Sequence, residues 1–127
     1  MKKDLKIKLL EQFDQAIYRL QEALEKEKDD FIRDASIKRF EFTFELTWKN
    51  IKYFAKIQGL ETNSSREAFK TAFKLGWIKN QDAWLQMIEY RNLSSHTYNS
   101  QTADQIYEHL NLFLKYFKKL YSNLCKI

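Results

Sequence analysis

Apolar residues recur at three- and four-residue steps through most of this chain, with polar residues filling the intervals. From Leu5 to Leu24 the stripe is Leu5, Leu9, Phe13, Ala16, Ile17, Leu20, Ala23 and Leu24, the one-sided pattern of an amphipathic helix. The run Glu25 to Asp30 is wholly charged and reads as a loop, where Asp29 or Asp30 can accept from the free amides that open the next helix. That second helix is predicted from about Phe31 to Ile57. Phe40, Phe44, Trp48 and Ile51 make one stripe, Phe42, Leu46 and Phe54 widen it, and Gly59 offers a stop.

Ser64-Ser65-Arg66-Glu67 has the spacing of a capping box, so a short third helix should run to about Leu75 and end at Gly76. Asn80 or Asp82 can cap a fourth helix, whose face carries Trp84, Leu85, Met87 and Ile88 and whose end approaches Leu93. A polar break spans Ser94 to Thr102. Thr102-Ala103-Asp104-Gln105 then repeats the capping-box spacing ahead of Ile106, Leu110, Phe113, Leu114 and Phe117, and a fifth helix should run close to Ile127. No internal repeat, linker or low-complexity segment interrupts the pattern. It predicts an all-α, up-down antiparallel four-helix bundle with one additional short helix, folded as a single domain over residues 1–127.

Composition sharpens this picture. With no proline, two glycines, 44% hydrophobic and 16% aromatic residues, the 127-residue chain lacks the turn punctuation of a sheet protein and is long enough to bury a core without crosslinks. Its one cysteine, Cys125, rules out an intrachain disulfide and a Cys-rich metal site, and reads as a small residue packed in the last turn. Charge interrupts every apolar run near the N-terminus, and no stretch reaches the roughly 18 apolar residues of a membrane span. A soluble protein of the reducing cytoplasm, without membrane contact, is expected. The formal charge of +5 mixes 22 basic with 17 acidic residues, so nucleic acid is a candidate partner without being required.

Most polar residues fit caps or solvated faces, but Glu89-Tyr90-Arg91-Asn92-Leu93-Ser94-Ser95-His96-Thr97-Tyr98 gathers several chemistries at one helix end. At roughly 100° per residue, Asn92 and His96 would share a face, whereas Arg91 and His96 would point roughly 140° apart on a continuous helix. The two converge only if the helix breaks before His96, as the serines and the lost apolar periodicity suggest. Such a break would set a permanent cation beside an imidazole, the side chain suited to proton exchange near neutrality. RNA cleavage without a metal ion needs one group to move a proton at the 2′-hydroxyl or leaving oxygen and a cation to stabilise the phosphate. Chemistry alone leaves the alternative open that His96 is a cap and Arg91 a solvated side chain.

A resemblance bears on this choice. Arg91-Asn92-Leu93-Ser94-Ser95-His96-Thr97-Tyr98 resembles the motif of HEPN proteins of the nucleotidyltransferase substrate-binding family: Arg, four residues opening on a polar one, His, any residue, Tyr. Arg39-Phe40-Glu41-Phe42-Thr43-Phe44-Glu45-Leu46-Thr47-Trp48-Lys49 is similar to that family's second-helix signature, and the likeness continues through Ser65-Arg66-Glu67-Ala68-Phe69-Lys70 and Gly76-Trp77-Ile78. The resemblance implies a helical toxin or substrate-binding subunit, usually a homodimer, paired with a minimal, antitoxin-like nucleotidyltransferase. It implies that Arg91 and His96 are a catalytic pair at the dimer cleft and that Asn92 orients them or the phosphate. Tyr98 would be the hydroxyl whose adenylylation silences the toxin, by bulk and added negative charge.

Other features have two readings each. Glu41, Glu45 and Lys49 stand at four-residue steps, so a carboxylate could support Arg91, or they could be surface ion pairs of a few tenths of a kcal/mol. Phe40, Phe44 and Trp48 fit bundle core better than a base-stacking platform. His109 has no second His or Cys at ligand spacing and reads as a surface or boundary residue; neither metal nor cofactor is expected. Lys2, Lys3, Lys6 and Lys8 open the first helix while Lys115, Lys118, Lys119 and Lys126 close the fifth. An up-down bundle would put both clusters at one end and the Arg91–His96 turn at the other. Three functions remain in play: a metal-independent endoribonuclease toxin, a noncatalytic substrate-binding subunit of a two-component nucleotidyltransferase, and a purely structural dimeric bundle.

Overall fold

The apolar stripes close on one another in the computed structural model, which describes residues 2–127 and the side chains of residues 5–127. The elements are α1 (Lys2–Leu24), α2 (Asp30–Ile57), α3 (Ser65–Lys74), α4 (Gln81–Leu93) and α5 (Ser100–Cys125), with a 3-10 turn at Ser94–His96 between the last two. No strand occurs among the described residues, and none of their helices is long and apolar enough to cross a membrane. The architecture is the predicted all-α bundle with one short extra helix.

The starts and stops follow local chemistry. The side chains of Asp29, Ser64 and Asn80 accept the amides of Ile32, Glu67 and Ala83, satisfying donors that a helix start leaves free. Glu67 returns a bond to the amide of Asn63 at 2.7 Å. Gly59 and Gly76 adopt φ of 83° and 80° just past α2 and α3, a left-handed conformation that glycine takes without steric cost. One start differs from the sequence expectation. Asn99, not Thr102, caps α5, accepting from Gln101 and Thr102, because the 3-10 turn reverses the chain within a few residues and α5 begins at Ser100.

Antiparallel order is visible in side chains that reach a neighbouring backbone. Arg39 donates to the carbonyl of Arg19 at 2.7 Å, Thr43 to Ala16 at 3.3 Å and Asn50 to Leu9 at 3.1 Å, so partners on α1 step backward as α2 advances. Thr43 and Thr47 also bond the carbonyl four residues before them, which lets small polar side chains sit in the interior without an orphaned hydroxyl. Lys6 Nζ meets the carbonyl of Ile127 at 3.0 Å, fixing the start of α1 beside the end of α5. Arg33 reaches Ser100 at 3.0 Å and Asp104 at 3.2 Å, fixing the start of α2 beside the start of α5 at the opposite end.

A continuous apolar core fills the space between. Phe40 stacks on Phe113 with ring centres 5.7 Å apart, and Phe13 meets Phe117 edge-on at 6.4 Å. Phe69 of α3 lies between Phe44 at 5.6 Å and Trp84 at 5.1 Å, tying the short helix to α2 and α4. Each such side chain contributes about 1.5–3 kcal/mol on burial. Leu5 and Phe31, both assigned to the helices by pattern, are exposed, Phe31 at 85%; each lies at a helix start, beyond the reach of the core. Cys125, expected to pack in the last turn of α5, is exposed as well, because Leu124 takes the inward position there.

Candidate functional site

The helix does break where the polar run begins. α4 ends at Leu93, Ser94–His96 tighten into a 3-10 turn, and Thr97–Asn99 turn the chain into α5. Arg91 therefore occupies the last turn of α4 and leans on α2, while His96 and Tyr98 stand on the connection.

Arg91 is held by two side chains, with a second carboxylate nearby. Its Nη1 donates to Glu41 Oε2 at 3.2 Å and to Ser94 Oγ at 3.1 Å, and Ser94 Oγ also bonds Glu41 Oε2. Glu45 Oε1 lies 4.0 Å from Arg91 Nε, beyond hydrogen-bonding range, and Nε is buried with no acceptor. Glu45 is drawn aside by Trp48, whose indole donates to Oε2 at 3.1 Å. Lys38 stands 3.9 Å from the other oxygen of Glu41. The Arg91 side chain keeps 31% of its surface exposed. Among the described residues none bonds its Nη2.

His96 and Tyr98 form a second pair. The imidazole Nδ1 and the phenol oxygen are 3.2 Å apart, the rings pack edge-to-face at 5.8 Å, and Tyr98 is 86% exposed. No hydrogen bond to Nε2 of His96 occurs among the described residues. Asn92 is exposed one residue after Arg91, its carbonyl taken by Ser95. Thus Arg91, Glu41 and Glu45 come together directly, His96 and Tyr98 come together separately, and Asn92 joins neither cluster by a hydrogen bond.

Two residues in this region were not singled out by sequence. Ser94 is only 5% exposed and links Glu41 to Arg91; its one local signal is the three-residue step from Arg91, which places both on one side of the turn. Arg33 is also buried, and Asp34, Ser100 and Asp104 receive it. Hydrogen bonds from Lys28 and then Arg33 hold the Asp104 carboxyl below its usual range, and the bond to Asp34 leads those that raise Arg33. This network anchors the first turn of α5, directly after Tyr98 and Asn99. His109 stacks on Tyr90 with centres 4.4 Å apart; its Nδ1 faces the carbonyl of Gln105 at 2.9 Å, and Nε2 faces the Tyr90 hydroxyl at 3.2 Å. That makes it a half-buried packing residue.

A polar turn from Arg91 to Tyr98 thus leads from the end of α4 into α5 of an antiparallel bundle. Residues 8–126 match the family described as nucleotidyltransferase substrate binding protein like, and the chain belongs to that family. A Haemophilus influenzae protein named probable ribonuclease HepT is 27% identical over 90 residues, which span 67% of this chain and 62% of that protein. The aligned stretch thus falls short of two thirds of the curated relative's length. A crystal structure of a Thermus thermophilus protein superposes with a TM-score of 0.83 at 30% identity, covering 88% of this chain and 98% of that one. A Haemophilus influenzae protein, described as revealing the fold of a substrate binding domain of a nucleotidyltransferase, gives 0.81 at 23% identity, with 91% and 98% covered. A mutant of the MntA toxin-antitoxin complex gives 0.81 at 18% identity, with 98% and 99% covered. These last two likenesses establish the shared fold.

Proposed function

We propose that the protein is a HEPN toxin that works as a metal-independent endoribonuclease and is paired with a minimal nucleotidyltransferase. The observation that carries the proposal is the broken helix end, where Arg91 is held through Nη1 with Nη2 unbonded and His96 is exposed with its Nδ1 beside Tyr98 and its Nε2 unbonded. In this scheme the RNA 2′-oxygen attacks phosphorus, the bond from 2′-oxygen to phosphorus forms and the bond to the 5′-oxygen breaks. Arg91 stabilises the charge on the phosphate, and His96 takes the proton from the 2′-hydroxyl or delivers one to the leaving oxygen. One imidazole cannot do both at once. A homodimer that joins two turns in one cleft would supply both protons' handlers, and Asn92, exposed next to Arg91, would touch the phosphate there.

Tyr98 is the proposed site of silencing. Attack of its phenol oxygen on the α-phosphorus of ATP would join AMP to the ring, release pyrophosphate and free the phenol proton. The product would set a negative phosphodiester against His96 and fill the approach to Arg91. The names of the similar proteins, a probable ribonuclease HepT and a toxin-antitoxin complex with MntA, support this pairing. A noncatalytic substrate-binding subunit is the second reading, favoured by the carboxylates of Glu41 and Glu45, which already neutralise Arg91.

Expression in cells tests the proposal. Wild type should arrest growth, Arg91→Ala and His96→Ala should not, and co-expression of the nucleotidyltransferase should relieve the arrest. A folded wild type without toxicity would move the assignment to the noncatalytic subunit.

A further inference from the structure

We propose that Ser94 is the positioning residue of this site: its hydroxyl locks the Arg91 guanidinium to Glu41 and thereby sets the direction of the one nitrogen left for the phosphate. The inference rests on the nuclease proposal for its consequence, but its physical content concerns Arg91 alone.

Ser94 is 5% exposed, at the point where α4 passes into the 3-10 turn. Its oxygen has three polar neighbours. Arg91 Nη1 donates to it at 3.1 Å, Glu41 Oε2 bonds it, and the Arg91 carbonyl lies at 2.6 Å. A serine has one proton to give, and a carboxylate is the stronger acceptor, so that proton goes to Glu41. The result is a closed triangle in which Arg91 Nη1 is held by two oxygens, Glu41 at 3.2 Å and Ser94 at 3.1 Å. A guanidinium is planar. Fixing one terminal nitrogen at two points fixes the plane, and with it the direction of Nη2.

Without Ser94 the one side-chain hydrogen bond left to the guanidinium is that from Nη1 to Glu41. Glu45 is 4.0 Å from Nε and is held away by Trp48, and a single Nη1 contact to Glu41 would act as a pivot. The guanidinium would then swing about that contact, and Nη2 would meet the phosphate in only a fraction of encounters. Orientation of this kind alters the chemical step more than ground-state affinity, since a misplacement of about 1 Å can lower a rate by about 100-fold. A residue serving only to end α4 would act differently. Its loss would lower stability and leave the motion of Arg91 unchanged.

The full-length protein with Ser94→Ala and Ser94→Thr substitutions separates these cases. Alanine removes the hydroxyl without adding volume, and threonine restores it. With a single-stranded oligoribonucleotide as substrate, Ser94→Ala should lower kcat by about 10- to 100-fold while KM stays within about threefold, and Ser94→Thr should recover most of the rate. In the same samples, nitrogen NMR of the Arg91 side chain should show slow guanidinium rotation in wild type and Ser94→Thr and fast rotation in Ser94→Ala. Unchanged rotation in Ser94→Ala, or a kcat equal to wild type, overturns the positioning role. If wild type cleaves no RNA, the nuclease proposal fails by itself, and the guanidinium rotation still decides for or against the lock.

Discussion

The two ends of this bundle differ in how they use charge. At the end where α1 begins and α5 finishes, Lys6 caps the carbonyl of Ile127, and Lys118, Lys119 and Lys126 stand exposed; the side chains of Lys2 and Lys3 lie outside the described residues. At the other end two arginines are enclosed, Arg33 by Asp34, Ser100 and Asp104 and Arg91 by Glu41, Glu45 and Ser94 near His96 and Tyr98. The first end holds more positive charge, whereas the second holds it in fixed directions. On the proposed function it is orientation and not the net charge of +5 that suits one end to a phosphate, because exposed lysines are screened and mobile while a partly enclosed guanidinium presents a defined fork.

Substitutions at the two ends should therefore have unequal effects. Glu41→Gln weakens the bond to a guanidinium only a third exposed, and should lower unfolding stability by about 1–2 kcal/mol after allowance for solvent screening, read by urea denaturation. An unchanged midpoint would mean that Glu41 is a solvated surface charge like those at the lysine end.

A smaller effect is expected from the network behind the turn. The carboxyl of Asp104 is held below the ordinary aspartate value of 3.8, first by Lys28 and then by Arg33. A depressed folded value means that stability is present above the unfolded pKa and lost as pH falls through the folded one. The thermal midpoint of wild type should exceed that of Asp104→Asn near pH 7, and the gap should close as pH drops below 3.8. A gap that persists in acid would assign the loss to packing. The smallest change belongs to the lysine end, where the pair Lys118→Gln and Lys119→Gln should shift stability by less than about 0.5 kcal/mol and reduce the salt dependence of RNA binding only slightly.

The helices were legible because each writes its buried face at a fixed period. Phe13, Phe40, Phe113 and Phe117 sit in the core where their spacing puts them, and Asp29, Ser64 and Asn80 cap where short polar side chains precede an apolar run. The start of α5 was misread because the Thr102 pattern is locally complete, while the choice of Asn99 depends on how sharply the 3-10 turn reverses. The motif positions Arg91, His96 and Tyr98 could be named from sequence, and so could Glu41 as a carboxylate able to support Arg91, but not the Ser94 hydroxyl that links the two. Glu41 and Ser94 are 53 residues apart, and their meeting depends on the register of α4 against α2, which no local pattern encodes. Arg33 was hidden for a similar reason. With Asp30 and Asp34 beside it, it looks like a solvated helix charge, and only the approach of α5 buries it.

Cleavage of single-stranded RNA by the purified protein in excess EDTA, compared between wild type and His96→Ala at matched helical circular dichroism, tests the assignment of the Arg91–His96 turn most directly. Wild type should cut, and the substitution should slow cutting by about 100-fold or more. Equal cleavage by the two proteins would contradict the assignment and remove this end of the bundle from the chemistry.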